Sequence, residues 1–301
     1  MHVRVQAPFL FVTDPERRSL GFVALGGPLR DAEQVAALDA LAAHFRFVGF
    51  TSLVRFPEPE PWDTRDYLSL CEGWCHGLRN PDESIPAGAP RALISQSDFV
   101  DPEAYEVGAS QRDLDFVYVC GDGSWKEEVK NWPLAKRCLP LLCGKMGLRG
   151  ALVGRARATD IPAVPNLEVH DFLPRDEFYS LVRRAKFLFA PNVLDASPRV
   201  LAEALCMNTT ILVNRRILGG WKYVTEETGA FFESEEDLEA AVSKCMRPHQ
   251  TRAWYSERFG PVHAGPRLLR FLASLGAPLP AARTATLSTV CRDAPDLSVS
   301  P

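Results

Sequence analysis

The residues best suited to chemistry stand in the second half of the chain, where Asp195 is followed eight positions later by Glu203. Between them lie four residues with the composition of a helix start: Ser197, Pro198, Arg199 and Val200. Serine is a favoured N-cap, and proline suits the first helical position because it has no N–H to leave unpaired. The unpaired N–H groups of this first turn, with the helix dipole, form a site for an anion such as a diphosphate. Arg199 can add a bidentate phosphate contact, and the carboxylates of Asp195 and Glu203 can accept hydrogen bonds from sugar and ribose hydroxyls.

A purely structural interpretation of these residues stays open. Ser-Pro helix starts are common. Arg199 and Glu203, four positions apart on a helix, can form a surface ion pair without any ligand. The residues taken alone therefore predict either an anion site or an ordinary helix start.

The elements that must position these residues alternate along the second half. Apolar segments at 115–120, 150–153, 187–190, 210–213 and 229–232 are typical of buried strands, and 166–172 is predicted to be extended. Helical patterns lie between them at 133–143, 175–185, 198–206 and 234–245. This alternation predicts a parallel sheet covered by helices on both faces. Ligands of such sheets bind at the carboxyl ends of the strands, beside helix N-termini.

The first half is less regular. A strand at 21–25 ends at Gly26-Gly27, and a helix at 31–44, a strand at 45–50, a helix at 67–76 and a strand at 91–95 follow. The segment 98–113 is polar and suits a domain boundary. We therefore predict an N-terminal acceptor-side domain at 1–108 and a C-terminal donor-binding domain at 109–275. The remainder, 276–301, is rich in Ser, Thr, Pro and Asp and is predicted to be disordered.

Composition excludes several classes of protein. With 46% apolar and 24% charged residues and a net charge of -4, the chain is an ordinary globular protein with no global attraction for nucleic acid or anionic membranes. No apolar run approaches the roughly 18 residues of a membrane span, so we expect a cytoplasmic protein. The eight cysteines do not demand disulfides. Cys71, Cys75 and His76 lack a second ligand pair at zinc-like spacing, so no metal site is predicted.

The stretch from about 115 to 245 resembles the retaining glycosyltransferases of GT-B fold, family 4 and its relatives. The spacing of Asp195 and Glu203 is similar to the acidic E-x7-E signature of that family. Further segments follow in the family's order at 152–154, 167–174, 178–185, 210–213, 219–220 and 227–229. The resemblance implies an α/β protein of two Rossmann-like domains, the first of them shortened. It also implies transfer of a sugar from a nucleotide-diphosphate sugar, with retention of configuration and without a metal or other cofactor.

The resemblance also assigns roles to residues. Glu203 would hold the donor ribose, Asp195 would contact the transferred sugar, and the amides of residues 197–200 would hold the diphosphate. Lys130, followed by Asn131 where the family has Gly, is similar to the family's phosphate-binding lysine. The family's arginine after Gly121 is absent.

Other residues would complete the donor site. Lys126 or Arg199 could replace the missing arginine. The segment from Val169 to Phe172 would meet the nucleotide base, and Gly219-Gly220 would form a loop near the donor.

In the first half, Gly26-Gly27 resembles the family's glycine loop facing the donor. His76, together with Glu72, is the nominated pair for chemistry on the acceptor, which can be a carbohydrate, a lipid or a protein-linked group.

Two other functions stay open. One is a nucleotide-sugar-binding subunit without activity, completed at its acceptor site by a partner chain. The other is an epimerase or phosphorylase on the same fold. The sugar, the base and the acceptor are not predicted.

Overall fold

A computed structural model describes residues 3–108, 112–121, 123–155, 159–247, 249–276 and 284–294. Its internal contacts divide the chain into two compact units, Met1–Phe99 with Phe259–Pro301 and Val100–Arg258. We call these the first and the second unit. No helix within the described ranges has the length and apolar character needed to cross a membrane.

Secondary structure alternates in both units. The strands are β1 (Val3–Arg4), β2 (Phe9–Thr13), β3 (Ser19–Leu25), β4 (Arg46–Thr51), β5 (Trp74–His76), β6 (Arg91–Ala92), β7 (Leu114–Val119), β8 (Gly150–Val153), β9 (Leu167–His170), β10 (Ala185–Ala190), β11 (Thr210–Asn214), β12 (Gly229–Phe232), β13 (Thr286–Ser288) and β14 (Val290–Cys291). The helices are α1 (Ala32–Ala42), α2 (Tyr67–Leu70), α3 (Ser124–Lys130), α4 (Trp132–Leu139), α5 (Arg175–Arg184), α6 (Arg199–Cys206), α7 (Leu238–Cys245), α8 (Thr251–Ser256) and α9 (Pro261–Ser274). Short turns of 3-10 helix lie at Pro81–Glu83, Gln96–Phe99, Pro102–Ala104 and Trp221–Tyr223, and a π-helical segment at Pro140–Lys145 extends α4.

The second unit is built on a parallel sheet with the strand order β12-β11-β10-β7-β8-β9. The chain starts in the centre at β7, proceeds outward through β8 and β9, and returns to the other side of β7 at β10. This is the doubly wound order of dinucleotide-binding folds, in which ligands bind where the winding reverses. The reversal here lies between β7 and β10, at their carboxyl ends. The prediction of an α/β fold with a parallel sheet is confirmed.

Helices cover both faces of this sheet, and strands β8, β10 and β11 in its interior are almost entirely buried. On one face, α4 and α7 enclose a core that includes Phe116, Phe189 and Phe232. On the other face, α5 and α6 pack against β7, β10 and β11. Burial of the strands on both faces explains why they lack the alternating pattern of a half-exposed sheet.

The first unit has a mixed sheet with the order β13-β2-β3-β4-β5-β6. Strands β3 to β6 are parallel, whereas β2 is antiparallel to both of its neighbours. One face packs against α1 and α2. The other face packs against α9, through Leu268, Phe271 and Leu272.

The packing of α9 changes the predicted domain boundaries. The sequence places them near residues 108 and 275, but the chain returns to the first unit at Phe259. It does so because the apolar side of α9 belongs to the core of the first sheet. The composition predicts disorder over 276–301, whereas the described part of that range contains strands β13 and β14. Strand β13 pairs Leu287 with Val12 at the edge of the sheet, so backbone hydrogen bonds order a segment of polar composition.

One predicted helix is also corrected. The pattern at 67–76 predicts a single helix, but α2 ends at Leu70 and residues from Trp74 form strand β5. Trp74, Cys75 and His76 are all buried between β4 and β6. A strand buried on both faces has a continuous apolar run that periodicity cannot distinguish from a buried helix.

Candidate functional site

An ion pair joins the two loops that meet where the winding of the second sheet reverses. Lys130 ends α3, which follows β7, and Asp195 lies in the loop after β10. The Lys130 Nζ lies 3.1 Å from the Asp195 Oδ2, with 25% and 13% of the two side chains exposed. Asn192, on the same loop, donates its side-chain amide to the same oxygen at 3.1 Å. The structure therefore brings together the two residues predicted to act on the phosphate and on the transferred sugar.

The backbone on both sides of Lys130 is tied to its neighbours. Asn131 has a left-handed conformation with φ 53°, and its side-chain amide donates to the carbonyl of Pro191 at 3.1 Å. Asparagine tolerates this conformation better than most residues, which explains its presence where the resembled family has glycine. The Tyr118 hydroxyl donates to the Lys130 carbonyl at 2.9 Å. These contacts fix the lysine next to the loop that carries Asp195.

The start of α6 differs by one residue from the prediction. Ser197 was expected to be the N-cap, but Pro198 holds that position, with ψ 87° and no side-chain cap hydrogen bond. The helix begins at Arg199, and a bend at Ala196 and Ser197 precedes it. In the part of the chain that the structure describes, the backbone N–H groups of Arg199 and Val200 meet no hydrogen-bond acceptor. They are the donors that the predicted anion site would require.

Gly219 and Gly220 lie directly against the loop that leads into α6. The Gly219 N–H donates to the Asp195 carbonyl at 2.9 Å. A Cβ at Gly219 would stand 1.9 Å from the Ala196 carbonyl oxygen. Gly220 has φ +75°, and a Cβ there would stand 2.4 Å from the Pro198 ring. Both glycines are therefore required by close approach, which places this segment beside the predicted donor site.

Glu203 is the centre of a hydrogen-bonded cluster and not a surface residue. It is 7% exposed. Its Oε1 accepts hydrogen bonds from the Tyr179 hydroxyl at 2.8 Å, the Tyr105 hydroxyl at 3.2 Å and the Arg199 Nε at 2.8 Å. The i,i+4 ion pair with Arg199 is present, as the structural interpretation expects, yet Arg199 itself keeps 63% of its side chain exposed.

Tyr105 and Tyr179 were not found from the sequence. Tyr105 falls in a segment interpreted as an irregular boundary. Tyr179 lies on α5 and its side chain faces α6. The helical period of the sequence alone does not establish which element this side chain contacts. Their rings meet edge to face at 5.2 Å. Burial, and the hydrogen bonds with Tyr105 and Glu203, raise the pKa of Tyr179 well above its usual value, so its hydroxyl keeps its proton.

A second cluster missed by sequence reasoning supports α3. Arg155, 2% exposed, bonds Glu127 of α3 and Asp160, each at 2.8 Å. Its guanidinium lies 4.2 Å from the centre of the Trp132 ring. The Trp132 indole N–H donates to Asp160 at 2.7 Å. That bond is the largest cause lowering the pKa of Asp160 from 3.8 to about 2.

The remaining predicted donor residues lie around the same edge of the sheet. The Lys126 side chain lies over Gly121, and its Cδ is 2.9 Å from where a Cβ of that glycine would stand. Val169 lies in β9, and Phe172, which follows this strand, is 78% exposed. An exposed phenylalanine at this edge suits the predicted contact with a base.

The predicted first-unit residues also lie at strand ends. Gly26 and Gly27 follow β3, and the Gly26 N–H donates to the Pro8 carbonyl at 2.8 Å. His76 ends β5 and is buried. Glu72 precedes β5 and pairs with Arg46 at the amino ends of the strands, whereas His76 lies at the carboxyl end of β5. The structure therefore does not pair Glu72 with His76.

Clusters of three or more His, Cys, Asp or Glu side chains able to hold a metal ion do not occur among the described residues. Cys71 and Cys75 are buried, as are the other six cysteines.

Solved structures that resemble this chain are glycosyltransferases. TarM, known from S. aureus, superposes with a TM-score of 0.57 at 10% identity over 77% of this chain and 50% of its own. HepE of Anabaena, in complex with UDP-glucose, gives a TM-score of 0.56 at 13% identity over 81% of this chain and 77% of its own. The pneumococcal O-GlcNAc transferase GtfA, in complex with UDP and GlcNAc, gives 0.54 at 11% identity over 85% and 56%.

The chain thus spans about half the length of TarM. No protein-family model matches it, and neither does any curated protein sequence. The likeness is one of fold. Both units are α/β, and the chain has the GT-B fold of glycosyltransferases, as its resemblance to that family predicts.

Proposed function

We propose that this chain is a glycosyltransferase that moves a sugar from a nucleotide-diphosphate sugar to an acceptor hydroxyl, with retention of configuration and without a metal. The observation that carries the proposal is the Lys130–Asp195 ion pair at 3.1 Å, at the reversal point of a doubly wound sheet and beside the start of α6. A cation, two backbone donors and two carboxylates at one such edge match the chemistry of a diphosphate that links two sugars.

The proposed roles follow from the charges. In the transfer, the bond from the anomeric carbon to the diphosphate oxygen breaks and a bond to the acceptor oxygen forms, while the acceptor proton is released. Negative charge then grows on the diphosphate. The Lys130 ammonium and the N–H groups of Arg199 and Val200 stabilise that charge, and they are held in place before the reaction. Asp195 accepts a hydrogen bond from the transferred sugar.

Glu203 holds the ribose of the donor in this proposal. Val169 and Phe172 border the base, and Gly219-Gly220 forms a loop near the donor. HepE and GtfA were solved with uridine nucleotides, so uridine is the first base to test. The roles of Lys126, Gly26-Gly27 and His76 toward phosphate, donor and acceptor remain part of the proposal.

A binding subunit without activity is the second candidate. It is favoured by the state of Arg199, one of the two possible replacements for the missing arginine. Its Nε already donates to Glu203 at 2.8 Å. A site that stabilises the departing diphosphate less well would bind nucleotides without transferring the sugar.

Binding and turnover are tested in sequence. The melting temperature is measured with UDP, GDP, ADP and dTDP and with their sugars, since a ligand at a hundred times its Kd stabilises the folded state by about 2.7 kcal/mol. At least one nucleotide should raise the melting temperature, and Glu203→Ala should abolish that rise. Glu239→Ala, which removes an exposed carboxylate paired with Lys145, is the matched control and should keep it.

The same samples separate the candidates. Release of nucleoside diphosphate with sugar transfer to glycan, lipid or peptide acceptors supports the enzyme. Binding without transfer or donor hydrolysis supports the subunit. Absence of any nucleotide effect on the wild-type melting temperature overturns both.

A further inference from the structure

The buried carboxylate of Glu203 is held asymmetrically. Within the described residues, its three donors, Tyr105, Tyr179 and Arg199, all bind Oε1. For Oε2 of the same carboxylate, no hydrogen-bond partner occurs within the described residues. Three donors saturate one oxygen, so the second is the oxygen left to accept a hydrogen bond from a ligand.

The direction of the hydrogen bond between Tyr179 and Glu203 is determined by Arg175. The Arg175 Nε lies 3.1 Å from the Tyr179 hydroxyl, and its guanidinium lies 5.1 Å from the centre of that ring. A guanidinium can only donate, so the Tyr179 oxygen accepts from Arg175 and gives its single proton to Glu203. The carboxylate is therefore held from α5 as well as from its own helix.

The two tyrosines restrict the carboxylate more than the ion pair alone would. Arg199 and Glu203 are on one helix, and an i,i+4 pair with an exposed arginine is weak and mobile. Tyr105 is buried, and its ring meets the edge of Tyr179 at 5.2 Å. Two packed rings that contribute hydroxyls from separate elements hold the plane of the carboxyl group in one orientation.

We propose that Tyr105 and Tyr179 are positioning residues that hold Oε1 of Glu203 and so direct Oε2 toward the ribose hydroxyls of the donor. The inference rests on the proposed function, since it concerns how the ribose is recognised. It adds that ribose recognition depends on two tyrosines outside the acidic motif.

The test compares UDP with 2′,3′-dideoxy-UDP, which lacks both ribose hydroxyls, by calorimetric titration of wild type, Tyr105→Phe, Tyr179→Phe and the double variant. We expect the wild type to bind UDP at least tenfold more tightly than the dideoxy nucleotide. In the double variant this ratio should fall to threefold or less, while the affinity for dideoxy-UDP stays within twofold of wild type. GDP and ADP, with their dideoxy forms, are measured in the same way.

Tyr118→Phe is the matched control. It also removes one hydroxyl from a buried tyrosine of the second unit, but at the carbonyl of Lys130. It should lower the affinities for UDP and dideoxy-UDP by the same factor, so the ratio of the two affinities should stay at the wild-type value. Circular dichroism and the melting temperature confirm that every variant is folded.

Each other outcome overturns a defined part of the account. If the tyrosine variants lowered the affinities for UDP and dideoxy-UDP equally, Tyr105 and Tyr179 would have a structural role only. If the wild type bound UDP and dideoxy-UDP equally, Glu203 would not bind the ribose, and the inference about the tyrosines would fail with that assignment. The proposed diphosphate site would not be affected. A wild type that binds none of the nucleotides would remove the proposed function itself.

Discussion

Replacing Lys130 with methionine removes the cation from the reversal point of the second sheet and keeps the length of the side chain. The Lys130 side chain is 25% exposed, and its Nζ lies 3.1 Å from the Oδ2 of Asp195, whose side chain is 13% exposed, so the pair is partly shielded from solvent. A hydrogen bond to a charged group in such a setting contributes about 1.5–3 kcal/mol. At about 1.4 kcal/mol for each factor of ten, Lys130→Met should weaken nucleoside diphosphate binding by roughly 10- to 150-fold.

The other member of the ion pair should respond in the opposite direction. In the free protein, Asp195 competes with a diphosphate for the same ammonium. Asp195→Asn ends this competition, which for a partly exposed pair amounts to about 1 kcal/mol. The affinity for a nucleoside diphosphate should therefore rise about fivefold, while sugar transfer falls by at least about a hundredfold because the proposed contact with the sugar changes.

Calorimetric titration with UDP, GDP and ADP measures both effects. Lys145→Met is the control, because Lys145 forms an exposed pair with Glu239 and should leave the affinity unchanged. If Lys130→Met bound the diphosphate as tightly as the control, Lys130 would have no phosphate role. If Asp195→Asn weakened the diphosphate as strongly as Lys130→Met, the two residues would act only by supporting the loop structure.

Three further predictions concern the glycine segment, Asp160 and the cysteines. Gly219→Ala should abolish the nucleotide-induced rise in melting temperature, because its Cβ would stand 1.9 Å from the Ala196 carbonyl oxygen and displace the loop that carries Asp195; a full rise would show that the loop adapts. The pKa of Asp160 is lowered from 3.8 to about 2, so its contribution to stability is present above about pH 4 and is lost as the pH falls toward 2. Asp160→Asn should therefore lower the free energy of unfolding by about 1 kcal/mol near neutral pH, a value reduced for its exposure, and this difference should vanish near pH 2 in urea titrations; a difference independent of pH would contradict the assignment. Burial raises the pKa of Cys206 to about 12, so the native protein should react with Ellman's reagent far more slowly than the unfolded chain at pH 8, and equal rates would contradict the packing.

Much of the second unit follows from the sequence, because its strands are short apolar runs separated by helical patterns. Strands β8 and β12 occur at the predicted residues, and α5 and α6 begin within one residue of the prediction. The ion pair of Lys130 and Asp195 follows less directly. Its members are 65 positions apart, and their contact depends on the reversal of strand order.

Features that depend on tertiary contacts were not predictable from local pattern. The short helix α3 has few apolar residues, so its period is weak, and contacts such as that of Arg155 with Glu127 support it. Tyr105 contacts Glu203 across 98 positions of sequence. Strand β13 is polar and is ordered by pairing with β2. In each case a distant partner determines the structure, and a single sequence carries no record of that partner.

The most direct measurement is a crystal structure of the chain grown with the nucleoside diphosphate that raises its melting temperature most. The account predicts phosphate oxygens within hydrogen-bond distance of the Lys130 Nζ and of the N–H groups of Arg199 and Val200, with a ribose hydroxyl on Glu203. A nucleotide bound at another place, with the Lys130–Asp195 pair intact and the start of α6 bare, would contradict it.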